Sequence, residues 1–312
     1  MTHPEGLARR LCREELGRSL LAVEEICGLG SVNRVFALRL AGGEKLLLRL
    51  RPGALREYQK EVWCLRAAEA ADLPVPRPLL CGAEGDTAYL VEQFVEGRPG
   101  TALSGEEALS LWRELGRFAR ALHQIPVQGF GLEWAGDNRF CDSFSPTLER
   151  QIAYNLSCLT EGDPVLALGG YPRSAQGSIR RLWAGLDPRR IPLGLCHGDL
   201  SPRNLLCGPG GATLVDFGCA AVHACPDYEV SSLERHSGDQ WQAFLEGYGW
   251  SEARWAAHRP RYAALLLLRR VDTLRWYLGT LPPGEIDRQD PRLQDHLSQL
   301  RAALETAAPY LD

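Results

Sequence analysis

Residues 197–218 read HGDLSPRNLLCGPGGATLVDFG, and no other stretch restricts the fold so tightly. Two apolar runs, LLC at 205–207 and ATLV at 212–215, flank the turn-forming GPGG. The pattern predicts a short β-hairpin, because Pro and Gly supply the backbone angles of a tight turn. Polar residues stand at both ends: His197, Asp199 and Asn204 before the hairpin, and Asp216 after it. Residues equidistant from the turn of an antiparallel hairpin face each other. Gly210 is the midpoint between Asn204 and Asp216, so these two are expected to meet at the open end. Asp199 lies on the loop that leads in. Two carboxylates and an amide gathered this way suit a hard cation such as Mg²⁺, which takes oxygen ligands and shares them with substrate phosphates. Any one of these residues alone reads as an ordinary turn residue. The full set, followed by DFG, does not.

Around the hairpin the periodicity divides the chain in two. Residues 5–20 have helical spacing. Strands are predicted near 21–27, 33–40 and 44–50, broken by GLGS and by the hairpin signal AGGE. Residues 54–71 carry bulky or apolar side chains near every third and fourth position, which predicts a helix. The prolines of DLPVPRPLL end it. TAYLVEQFVEG, 87–97, reads as a further strand entering a turn. Beyond residue 100 the pattern turns helical. Leu109, Trp112, Leu115, Phe118 and Leu122 form one stripe. Further helices are expected at 146–160, 176–186, 229–236, 239–248, 252–279 and 290–307, with a single β island at 193–218. The expected organisation is a strand-rich lobe over 1–97, with its connecting hinge near 91–97, and a helical lobe over 98–312.

Composition narrows the function classes. At 312 residues, 45% hydrophobic and 24% charged, the chain has the makeup of a globular protein. The net charge is −4, and the acidic excess falls after residue 100. This argues against a nucleic-acid partner, which calls for a basic stripe, and suits a cationic small molecule. The longest aliphatic run, AALLLLRR at 263–270, is too short to span a bilayer, and the first residues lack a signal-peptide core. The ten cysteines include no C-x-x-C pair, and Cys64, Cys196, Cys207 and Cys219 sit in apolar runs. They read as small core residues of a reduced, cytoplasmic protein.

HGDLSPRNLL with LVDFG resembles the paired motifs of the aminoglycoside phosphotransferase and choline kinase-like family. GLGSVNRVFAL is similar to that family's glycine loop, REYQKEVWCLRAAEAADLPVPRPL to its helix and Pro-x-Pro segment, and YLVEQFVEG to its hinge. LGRFARALHQIP and FLEGYG resemble its later helices. The resemblance implies an α+β, protein-kinase-like fold of two lobes. It has a small antiparallel sheet with one helix and a larger, mostly helical lobe. It implies transfer of the γ-phosphate of ATP or GTP to a hydroxyl of an aminoglycoside-type antibiotic or related small molecule. Asp199 would be the catalytic base, and Asn204 and Asp216 would hold Mg²⁺. Gly28, Gly30 and Ser31 would let the backbone close over the phosphates. Gln93 through its carbonyl and Val95 through its N–H would hold the adenine.

Such enzymes pair a strand lysine with a helix glutamate. Here the strand reads EKLLLRLRP, the register selects Arg49, and Glu61 is its helix partner. Arg49 retains the charge and offers a planar fork of donors. Lys45 and Arg51 are the alternative cations. His197 is read as a loop-shaping residue and Gly198 as a position needing an unusual backbone angle. Asp216 is followed by a helix within about a dozen residues, which leaves no platform for a protein substrate. Asp227, Glu229, Glu234, Glu246 and Asp272 are the acids available to a cationic acceptor, with Glu229 as a brace. The alternatives are a metabolite kinase acting on choline, a sugar or an amino alcohol, a nucleotide-binding pseudokinase, and a metal hydrolase built on His197 and Asp199. The last lacks further ligands at metal spacing.

Overall fold

The structure is a computed structural model that describes residues 3–26, 32–231, 233, 238–282 and 286–311. The chain begins with α1 (Pro4–Arg10), which continues into a wide helical turn over Leu11–Glu15. It then forms β1 (Leu20–Glu25), β2 (Arg34–Leu40), β3 (Lys45–Pro52), α2 (Leu55–Ala70), β4 (Pro78–Glu84) and β5 (Thr87–Gln93). These five strands make one antiparallel sheet in the order β1-β2-β3-β5-β4. The predicted strand over 87–97 thus ends at Gln93, and β4 was not anticipated. β4 lies on the sheet edge and begins with Pro78, a place where a missing N–H costs no ladder bond.

The two-residue period of β3 decides what each face does. Leu46, Leu48 and Leu50 pack with Phe36, Leu38, Leu40 and Val91 against Leu7, Ala8 and Leu11 of the N-terminal helical segment. The opposite face meets α2, where Ala54 and Tyr58 pack on Ala88 and Leu90. Arg49 is thereby turned toward α2.

The larger lobe follows. It contains β6 (Arg98–Pro99), α3 (Gly105–Leu122), β7 (Gln128–Gly129), β8 (Glu133–Gly136), β9 (Arg139–Cys141), α4 (Leu148–Cys158), α5 (Pro164–Ala167) and α6 (Gln176–Ala184). Then come β10 (Leu193–Cys196), β11 (Leu205–Gly208), β12 (Gly211–Leu214), β13 (Ala221–Ala224), α7 (Asp227–Val230), α8 (Asp239–Tyr248), α9 (Glu252–Thr280) and α10 (Pro291–Ala307). β6 pairs with β11 of the hairpin, so the chain changes sheets between residues 93 and 98. The expected single β island is joined by the small β7-β9-β8 sheet, and by β13, which pairs with β10. The helix expected at 229–236 is the shorter α7, and Ser232 and 234–237 lie outside the described residues. Trp112, Leu115, Phe118 and Leu122 of α3 enter the core of this lobe with Phe244 of α8 and Leu267 of α9. Cys64, Leu65 and Ala68 of α2 belong to the same core, so α2 is the element shared by both lobes. Among the described residues no helix is long and apolar enough to cross a membrane.

Candidate active site

The loop that carries Asp199 begins where β10 ends. His197 is fully buried, and its Nε2 lies 3.0 Å from the Val215 carbonyl. Its Nδ1 faces the Asp199 N–H at 3.4 Å, and its ring packs on Phe217 with centroids 4.7 Å apart. Burial lowers its pKa and keeps the ring neutral. His197 therefore joins the loop to the strand on the far side of the hairpin. Gly198 has φ +81°, and a Cβ there would come within 2.1 Å of the Cys219 carbonyl oxygen. Only glycine satisfies both demands. Its N–H donates to Glu229 Oε1 at 2.7 Å. Burial pushes the Glu229 carboxyl up to about 7, against the pull of His123 and this hydrogen bond.

Asp199 is held from two sides. Arg203 Nη2 donates to its two carboxylate oxygens at 2.5 and 2.6 Å. Asn204 Nδ2 donates to its carbonyl at 2.8 Å and to its Oδ2 at 3.0 Å. The hairpin register departs from expectation by one residue. Gly208 faces Gly211 and Leu205 faces Leu214, so the turn is centred between residues 209 and 210, not on Gly210. Asn204 therefore pairs with Val215, whose N–H donates to its carbonyl at 3.0 Å. Asp216 is the next residue and adopts a left-handed φ of +67°. A non-glycine residue in that region bends the chain out of the strand at some conformational cost.

Above the loop, Arg49 is buried at 7% exposure. It is hydrogen-bonded to Glu61, lies 3.8 Å from Glu92 Oε1, and reaches Asp216 Oδ1 at 3.6 Å. Burial opposes the Arg49 cation, but Glu61 and Glu92 outweigh it and raise its pKa further. Burial raises the Glu61 carboxyl despite Arg49. The Glu92 carboxyl is pushed up to about 8 by burial, with Glu61 adding and Arg49 opposing. Lys45 stands apart, paired with Glu96 at 2.7 Å and lying over the Phe94 ring. Arg51 lies at the far end of β3, opposite Ala88.

Gln93 ends β5 and donates its N–H to the Arg77 carbonyl at 2.9 Å, while Val95 lies half-buried in the following loop. Gly28, Gly30 and Ser31 lie outside the described residues, as does Glu234. Of the other acids, Asp227 is bonded to His258 at 2.6 Å and Arg261 at 3.0 Å. Asp272 accepts from Asn155 and Gln151 at 2.6 and 2.7 Å, and Glu246 accepts from Arg113 at 3.1 Å. Asp227 and Asp272 are engaged within the fold, whereas Glu246 is paired at the surface, its side chain 51% exposed.

Three contributors were missed at the level of sequence. Arg203, four residues after Asp199, was visible in the motif but carried no assigned role. Glu92 shares its strand face with Ala88 and Leu90, so an acid breaking an apolar alternation was its signal. Lys60 is buried and donates to the carbonyls of Gly218 and Ala220 at 3.0 Å each, and to Leu132 at 3.3 Å. It fastens α2, and with it Glu61, to the segment that follows Asp216. Nothing in the helix periodicity distinguishes it. Cys219 is exposed, contrary to the reading of that residue as core.

An arginine–glutamate pair between strand and helix, poised over a loop and hairpin of this kind, defines a two-lobed enzyme of protein-kinase-like architecture. The sequence profile of the phosphotransferase enzyme family matches residues 25–265, and the chain belongs to that family. It is an enzyme that transfers phosphate to a hydroxyl group. The aminoglycoside 3'-phosphotransferase of Streptomyces fradiae is 31% identical over 219 residues, covering 64% of this chain and 73% of that protein. The aminoglycoside 3'-phosphotransferase of Streptomyces ribosidificus is 30% identical over 195 residues, covering 57% of this chain and 68% of that one. A thermostable mutant of aminoglycoside phosphotransferase APH(4)-Ia, solved as a ternary complex with ADP and hygromycin B, shares the fold at TM-score 0.62. It is 20% identical, and the match covers 96% of this chain and 98% of that one.

Proposed function

We propose that the protein is a nucleoside-triphosphate-dependent O-kinase of aminoglycoside-type antibiotics, with Asp199 as its catalytic base. The observation that carries this reading is the convergence of Asp199, Arg203 and Asn204 at the end of β10, one hairpin away from Asp216 and Arg49. The aminoglycoside acceptor is supported by the curated relatives.

Phosphoryl transfer needs alignment and charge neutralisation more than covalent help from the protein. Asp199 would orient the acceptor hydroxyl and take its proton. Asn204 Nδ2 fixes one carboxylate oxygen and the loop carbonyl, which restricts the carboxylate to a narrow range of directions. Arg49, braced by Glu61, would meet the α- and β-phosphates, and Gln93 and Val95 would hold the adenine through their backbones. Gly28, Gly30 and Ser31 would cover the phosphates. The donor set also fits a divalent cation. The Asp216 carboxylate is 55% exposed, and Asn204 turns its amide nitrogen to Asp199 and so keeps its carbonyl oxygen for other partners. Both are hard oxygen donors of the kind Mg²⁺ takes. Mg²⁺ held there would neutralise phosphate charge.

The test is a transfer assay with ATP and with GTP, offered aminoglycosides, a macrolide, choline and simple sugars. Phosphate incorporation into an aminoglycoside is the expected result. Incorporation into choline or a sugar alone would assign a metabolite kinase. Nucleotide binding without transfer to any acceptor would contradict the reading.

A further inference from the structure

Three side chains with no part in phosphate transfer converge where β10 meets β13. Cys196 ends β10 and Cys225 follows β13, and their Sγ atoms are 3.5 Å apart. His123, at the C-terminal end of α3, completes the group, and the donor atoms of all three lie within 4.8 Å of one another. Among the described residues this is the one such group of His, Cys, Asp or Glu. The Tyr248 hydroxyl holds His123 Nδ1 at 2.9 Å, while His123 Nε2 is buried without a hydrogen-bond partner. Gly194 makes the room. A Cβ there would stand 2.9 Å from Cys225 Sγ and 2.8 Å from the His123 carbonyl oxygen.

Two small buried thiols in contact need no ligand to explain them. That account leaves the buried His123 Nε2 with nothing better than the weak Cys225 thiol beside it. Two thiols and an imidazole nitrogen form a borderline-soft donor set, which selects zinc over magnesium. Tetrahedral zinc with Zn–S bonds of about 2.3 Å sets two sulfurs about 3.8 Å apart. The observed 3.5 Å needs only a small shift. Tyr248 fixes the ring through its other nitrogen, as outer partners of zinc-bound histidines do. A cavity of about 600 Å³, lined by His123, Cys225, Tyr248 and His258, gives an entry path and space for a fourth ligand.

We propose that Cys196, Cys225 and His123 form a Zn²⁺ site with its fourth position open to this cavity, and that its occupancy stiffens the catalytic loop. Two links reach that loop. Cys196 directly precedes His197 in the chain. Glu229 feels His123 and Cys225 on one side and binds the Gly198 N–H on the other.

The test is titration of the metal-free, full-length protein with Co²⁺, which reports thiolate ligation as a sulfur-to-cobalt charge-transfer band. One equivalent per chain is expected to bind and to be displaced by one equivalent of Zn²⁺. Cys196→Ser and Cys225→Ser should each abolish the band, and Cys141→Ser should keep it. Tyr248→Phe should weaken binding about 10- to 100-fold, the usual loss for an outer-shell partner. Amide exchange at Gly198 and Asp199 should slow on addition of Zn²⁺. No charge-transfer band in the wild-type protein, or a band that survives both cysteine substitutions, would overturn the site. Unchanged exchange in the zinc-bound protein would overturn the link to the loop. Neither the wild-type titration nor the exchange measurement depends on the variants folding.

Discussion

Arg49 and Arg203 both hold carboxylates of one site, but in different surroundings. Arg49 has a side chain 8% exposed and stands among Glu61, Glu92 and Asp216. Arg203 has a side chain 65% exposed and holds Asp199 alone. Water screens the second pair and barely reaches the first. A buried pair is fixed by the cost of leaving either partner uncompensated. An exposed pair four residues apart contributes little to stability and exchanges readily with solvent. The upper lobe thus offers a preassembled, dry cation, and the lower lobe a carboxylate on a releasable latch. That division suits a reaction in which the nucleotide phosphates need a fixed charge and the acceptor must approach the base.

The largest expected effect is at the latched residue itself. Asp199→Asn should lower turnover by about 10²- to 10⁴-fold, the range for loss of a general base, while nucleotide binding persists. Full turnover in this variant would remove Asp199 from the chemistry. Next comes the buried cation. Arg49→Met leaves the buried Glu61 carboxylate without its hydrogen-bonded counter-charge and should destabilise the fold by about 3–5 kcal/mol, read from the denaturant midpoint. A loss near that of a surface substitution would erase the contrast between the two arginines.

A pH series sharpens the same contrast. Glu92 in the folded chain holds its proton up to about 8, against an ordinary value of 4.5. The folded state therefore binds more protons than the unfolded state between these values. The stabilisation from Glu92 is complete below about 4.5 and is lost as pH rises through about 8. Stability should fall across that window, and Glu92→Gln should flatten the fall. An unchanged slope in the variant would place its origin elsewhere, Glu229 being the first candidate. The smallest effect on stability is at Arg203. Arg203→Ala should change it by less than about 1 kcal/mol, yet lower kcat roughly 10-fold by loosening the aim of Asp199. A destabilisation as large as that of Arg49→Met would show that the latch is structural.

Much of the fold was legible before the structure. α8 falls on the predicted 239–248, and α2, α4, α9 and α10 fall within a few residues of their predicted spans, because long amphipathic helices repeat their signal over several turns. The failures share a cause. β7, β8 and β9 are two to four residues long, and β4 opens on a proline, so neither alternation nor composition rises above loop background. The hairpin was foreseen but slipped by one residue. Its turn has two central residues, Pro209 and Gly210, and GPGG permits more than one centre. A one-residue slip changes every cross-strand partner, which is why Asn204 faces Val215.

Sequence alone determined the motif pair and the strand–helix ion pair, because this chemistry demands particular side chains at short, fixed spacings. Arg49 and Glu61 could be matched through the two-residue strand period and the position of the prolines. Only the tertiary structure brought Glu92 beside Arg49, closed Lys60 onto the segment after Asp216, and set Cys225 and His123 against Cys196. Those contacts join residues 29 to 160 positions apart with no shared periodicity. Packing between elements decides them, and packing leaves no local trace in the chain.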